Sequence, residues 1–128
     1  MNQLVESLRK FRHPSLGAAW MKTERSSTKV VYERDCSYDE PEQDRVGKRI
    51  IVTGTEDGYQ AEVTVKTEDD QHNYTLVEYN RQNARIEKFG DDPETDMNEI
   101  RDYDKAIRVL KDCLWDEMRH GSERYKYT

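Results

Sequence analysis

Cysteine is scarce. The chain holds two in 128 residues, Cys36 and Cys113, far apart and without a CxxC pair. Such usage offers no disulfide framework and fits two reduced thiols inside a cell. Long apolar runs are missing as well, none approaching the roughly 18 residues of a membrane span. Met1 opens no charged-then-apolar leader. The expectation is a soluble protein of the cytoplasm or of a viral particle, not one secreted by a signal peptide, and no membrane partner.

The scarcity extends to residues that carry chemistry. The six glycines are dispersed, so there is no phosphate-cradling loop, dinucleotide fingerprint or G-x-S-x-G elbow. The three histidines, His13, His72 and His120, lack the short spacing of a zinc site with one another or with either cysteine. The run Asp91, Asp92, Glu94, Asp96 resembles a calcium loop in its alternating carboxylates. Pro93 interrupts it, the mid-loop glycine is missing, and Tyr103 stands where the closing glutamate belongs. Glu62 and Lys66, with Glu78 or Glu87 beside them, suggest a nuclease face, but cross-strand charge pairing explains the same residues. Cys113 borders an apolar stripe, where a thiol stays neutral and inert. No catalytic residue, metal or other cofactor is expected, and the protein reads as non-enzymatic.

What the chain has in quantity is charge, 38% of residues against 34% hydrophobic, with a net charge of −6. Its distribution is uneven: residues 1–34 sum to +4 and residues 35–128 to −10. The acidic body repels phosphate backbones, so only the N-terminal segment offers a basic patch. A carboxylate-rich, apolar-poor composition also suits a halophile's high-salt cytoplasm, although mesophilic proteins reach the same net charge.

The periodicities predict an α+β domain. Leu4, Leu8 and Phe11 recur on one face of a short helix from an Asn2 cap to about Arg12, ended by His13-Pro14. Residues 15–28 read as a loop, or at most one further helical turn. From Lys29 the period is two. Val30–Tyr32 makes a short strand, and 36–45, with four acids and a proline, reads as a solvated loop. Arg49–Gly54 and Tyr59–Lys66 flank an Asp57-Gly58 turn whose positive φ angles suit a tight hairpin. Tyr59, Ala61, Val63 and Val65 face one way, and Gln60, Glu62, Thr64 and Lys66 the other. Two further strands, 74–80 and 84–89, complete an antiparallel meander of four or five strands.

A helix of about twenty residues then follows the acidic run. Its stripe of Ile100, Tyr103, Ile107, Leu110, Leu114 and Met118 is expected to cover the apolar face of the sheet. An Asp96/Glu99 capping box opens it, with Asp102 as a second start signal, and Gly121 closes it. The organisation is a helix and basic arm over 1–28, the α+β domain over 29–121, and a tail over 122–128 that is frayed or adds an edge strand.

Two functions fit this pattern. The first is protein–protein interaction or assembly, with a protein partner or a second copy. It uses Leu16, Trp20 and Met21 on the arm, and Trp115 at the helix edge beside Lys111 and Arg119, because large aromatics next to arginine anchor interfaces. Removing residues 1–28 is then expected to abolish association while leaving the sheet folded. The alternative is nucleic-acid binding, with Arg9, Lys10, Arg12, Lys22 and Arg25 on phosphates and Phe11 or Trp20 stacking on bases. Against it, the cations near the end of the first helix point to both sides rather than forming one stripe. A third idea, an acidic mimic of DNA, is thin at this charge.

Overall fold

A computed structural model describes residues 3–11, 20–35, 45–67, 70–88 and 100–126. They form α1 (Gln3–Lys10), β1 (Met21–Ser26), β2 (Lys29–Asp35), β3 (Arg45–Thr55), β4 (Gly58–Thr67), β5 (Gln71–Asn80), β6 (Arg85–Lys88) and α2 (Tyr103–Lys126). The strands pair in chain order, β1 to β6, in one antiparallel sheet. The class is the expected α+β, with six strands in place of four or five.

Strand alternation decides which face is covered. Val30 and Tyr32 of β2, Ile50 and Val52 of β3, and Tyr59, Ala61, Val63 and Val65 of β4 point inward into one apolar cluster. Ala106, Ile107, Leu110, Leu114 and Met118 of α2 and Leu4, Val5 and Leu8 of α1 join it. A helix of eight residues is marginal alone, so these three buried side chains hold α1. In β5 both Leu76 and Val77 are buried, which strict alternation forbids. The register supplies the reason: Ala61 faces Val77 and Glu62 faces Thr75, so Leu76 is an extra residue in a bulge.

Four local expectations are corrected. Residues 21–26 are not loop but the edge strand β1. The β3–β4 turn is Glu56-Asp57, since Thr55 already pairs with Gly58. Gly58 holds the positive φ expected of it, 150°, and has a second reason to be glycine, because a Cβ there would lie 2.0 Å from the Tyr79 carbonyl oxygen. Asp102, not Asp96, caps α2: its Oδ1 accepts from the Asp104 N–H at 3.0 Å and its carbonyl from the Ala106 N–H at 3.1 Å. Ile100 therefore precedes the helix, although it packs on the core. Finally, α2 runs through Gly121 to Lys126, so 122–126 is neither frayed nor a strand. A glycine inside a helix costs only about 1 kcal/mol relative to alanine, which does not stop it. Asn2, the His13-Pro14 stop, the acidic loop over 36–44 and the run over 91–96 lie outside the described residues.

Three tyrosines pin the start of α2. The Tyr59 hydroxyl donates to the Ala106 carbonyl at 2.6 Å and that of Tyr79 to the Ile100 carbonyl at 2.6 Å. The Tyr79 ring lies 5.6 Å from Tyr59 and 6.0 Å from Tyr103, and Arg81 stacks 4.7 Å over Tyr103. Desolvation by burial raises the Tyr59 pKa above its ordinary 10.0. Its contribution is thus intact below that value and is lost as pH climbs beyond it, because the unfolded chain ionises first. Tyr59→Phe is expected to cost about 1 kcal/mol and to weaken the alkaline loss of stability, measured by urea unfolding across alkaline pH.

Candidate interaction surface

The segment carrying the expected contact residues becomes intelligible once its period is read as two. Trp20 points inward and is 4% exposed within the core. Met21 follows on the opposite side and is 69% exposed. Thr23, facing Val31, continues the outer row, and Lys22 and Glu24, facing Tyr32 and Val30, the inner one. Two inward positions of this strand are thus charged, and both dock α1.

Lys22 extends its ammonium to the end of the helix, where Nζ donates to the carbonyls of Leu8 at 2.8 Å, Arg9 at 3.1 Å and Phe11 at 3.3 Å. The carbonyls at a helix end carry the negative end of its dipole, so a cation there is favoured, and that of Leu8 also accepts from the Phe11 N–H at 3.2 Å. Burial lowers the Lys22 pKa, with Glu24 opposing and Arg9 assisting the shift. Glu24 accepts from Arg9 through Nε at 2.8 Å and through the guanidinium terminus at 3.0 Å, a two-pronged pair. The hydrogen bond from Arg9 holds the Glu24 carboxyl below its ordinary pKa and raises that of Arg9.

The geometry sorts the expected site residues. Trp20 is an anchor, not an exposed tip. Met21 is exposed at the sheet edge. Trp115 is 39% exposed on α2, across the sheet from Met21, so the two do not form one patch. Leu16 and Arg12 lie outside the described residues. Of the cations, Lys10 is exposed near the end of α1. Arg9 and Lys22 are engaged with β1 and α1 as above, and Arg25 pairs with Glu33 at 3.0 Å. The described parts of the N-terminal segment, residues 3–11 and 20–26, are thus joined to the core and the sheet.

One cluster escaped the sequence reading. Lys48 of β3 and Glu117 of α2 are buried and meet at 2.9 Å, and the Tyr74 hydroxyl donates to the same Glu117 oxygen. Parity held the signal for Lys48, two residues before the inward Ile50. Glu117 likewise sits three residues after Leu114, on the stripe. Both were passed over because charge reads as surface.

Among the described residues no group of three or more histidines, cysteines or carboxylates is placed to hold a metal ion. No helix among them is long and apolar enough to cross a membrane. Comparisons with protein-family models, curated proteins and solved structures find no match to this chain.

Proposed function

We propose that the protein is a non-enzymatic interaction or assembly protein that works through the β1 edge of its sheet. The observation that carries the reading is that β1 ends the sheet with Met21 69% exposed on it, while Trp20 fixes the same segment in the core. An anchored strand at an edge offers backbone groups for pairing, and an exposed apolar side chain adds contact area. Trp115 supplies a second contact on α2. The partner is another protein or a second copy, inside a cell or a virus particle, where thiols such as Cys113 stay reduced. The nucleic-acid alternative draws little support from Arg9, Lys22 and Arg25, whose charges already face partners within the chain.

The test pairs solution mass by light scattering, at low and at molar salt, with identification of proteins that co-purify in stoichiometric amount. Met21→Lys is expected to weaken the association at least tenfold while leaving circular dichroism unchanged, and Trp115→Ser to weaken it less. A chain that stays monomeric and retains no stoichiometric partner sinks the reading.

A further inference from the structure

We propose that α1 is a latch held shut by charge: it opens as a unit, carrying Leu4, Val5 and Leu8 out of the core, while Trp20 and β1 stay in place. The helix has eight residues and three buried side chains, too little to stay folded on its own. It packs on β2 and α2 but joins no ladder of strand hydrogen bonds, unlike β1, which pairs with β2 from Met21 to Ser26. Opening α1 therefore breaks no strand pairing.

Charged side chains close the latch at both ends of the helix. At its start Gln3 donates to the Asp104 carboxylate of α2. At its end Lys22 reaches the carbonyls of Leu8, Arg9 and Phe11, and Arg9 forks onto Glu24. The Arg9 and Glu24 side chains are 50% and 34% exposed, so dissolved ions reach them, and in molar salt charges are screened beyond about 3 Å. Salt thus loosens the helix.

Acid acts on the same group of charges. The hydrogen bond from Arg9 holds the Glu24 carboxyl below its ordinary range, so its contribution is complete above that range and is lost as pH falls through the lowered value. Glu24 is faced by Arg9 of α1 and by Lys22 of its own strand, Glu6 of α1 acts on Arg9, and the residue across on β2 is the apolar Val30. Arg9 and Lys22 repel each other, and Glu24 attracts both. Protonating that one carboxylate turns an attractive trio into a repulsive pair. The opened helix bares an apolar face that the closed molecule hides, together with the part of the core beneath it.

Native-state hydrogen exchange, corrected for the intrinsic rate at each condition, compares the amides of Ser7 to Phe11 with those of Ile50, Val52, Ala61 and Val63. The α1 amides are expected to be at least about tenfold less protected. Their protection should fall further as sodium chloride rises from about 0.05 to 1 M and as pH drops from about 6 to 4, with smaller changes in β3 and β4. Glu24→Gln is expected to lower α1 protection about threefold and to remove the acid response, and Lys22→Met to lower it about tenfold. Neither should alter the sheet amides. Equal protection of α1 and the sheet, falling together under every condition, would mean that the helix opens only with the whole domain, and overturns the latch. Early exchange of α1 that ignores salt, acid and both variants overturns the role of charge. Should Lys22→Met fail to fold, the wild-type salt series and Glu24→Gln decide by the same criteria.

Discussion

Lys48→Met is expected to lower the unfolding free energy by about 3–5 kcal/mol, a large share of the roughly 5–15 kcal/mol available to a domain. The cause is the partner left behind. Glu117 is almost fully enclosed, and without the ammonium 2.9 Å away its buried carboxylate loses that opposite charge while the Tyr74 hydroxyl still donates to it. Lys48→Met combined with Glu117→Leu removes both charges and is expected to recover most of the loss, because an apolar pair of similar volume is often neutral or stabilising. Half-buried Tyr74 can then turn its hydroxyl toward water. Urea unfolding of the two single variants and the double variant measures the coupling. A loss in the double variant equal to the sum of the two single losses would show that the pair is uncoupled and incidental to stability. Trp115 lies two residues before Glu117, so its fluorescence should shift in the single variants if the pair fixes this part of α2.

Trp20→Ala is expected to cost about 3–5 kcal/mol and Met21→Ala within about 0.5 kcal/mol, though the two are neighbours in sequence. The difference comes from alternation alone. Trp20 is 4% exposed in the core and Met21 69% exposed at the edge. Removing the indole leaves a void beneath α1 and β1, whereas shortening the methionine removes surface that water already wets. Thermal unfolding of both variants decides it, and similar midpoints for the two would place Trp20 outside the core. For the same reason deletion of residues 1–28 is now expected to unfold the sheet, since it strips Leu4, Val5, Leu8 and Trp20 from the cluster. Point changes at the edge, not truncation, separate binding from folding.

Elements with apolar rows were legible in the sequence, and elements with charged inner rows were not. β4 alternates cleanly from Tyr59 to Val65, and the α2 stripe from Ile107 to Met118 repeats at helical spacing, so the sheet and its cover followed directly. β1 was hidden because after Trp20 its inward positions are Lys22 and Glu24, which alternation by hydrophobicity does not count. Their role depends on α1 arriving from ten or more residues away, a tertiary fact with no local trace. Glu117 and Lys48 were missed for the same reason. Each sits at the right phase for the core, but a charge in phase becomes interpretable only when its opposite is known to lie across from it. The hairpin turn was legible one residue out of place, at Asp57-Gly58 rather than Glu56-Asp57, and the positive φ at Gly58 was anticipated while its second role was not. The glycine serves the approach of β5 at Tyr79, which no pairwise turn rule contains. Of the candidate contacts, Met21 and Trp115 emerged as exposed side chains, and their separation by the sheet required the fold.

The order of the strands bears on how the chain matures. Each strand pairs with its neighbour in sequence, so the meander can assemble by successive short-range steps, the kind that proceed fastest. The cover comes from α2, which follows all six strands. During synthesis the inward faces of Ile50, Val52, Ala61, Val63 and Val77 are therefore complete before the helix that shelters them has left the ribosome. In that interval the nascent sheet presents an apolar surface to its surroundings, and the carboxylate of Glu117 reaches Lys48 only at the end. Stalling or truncation ahead of Tyr103 thus produces a species prone to capture by chaperones or to aggregation.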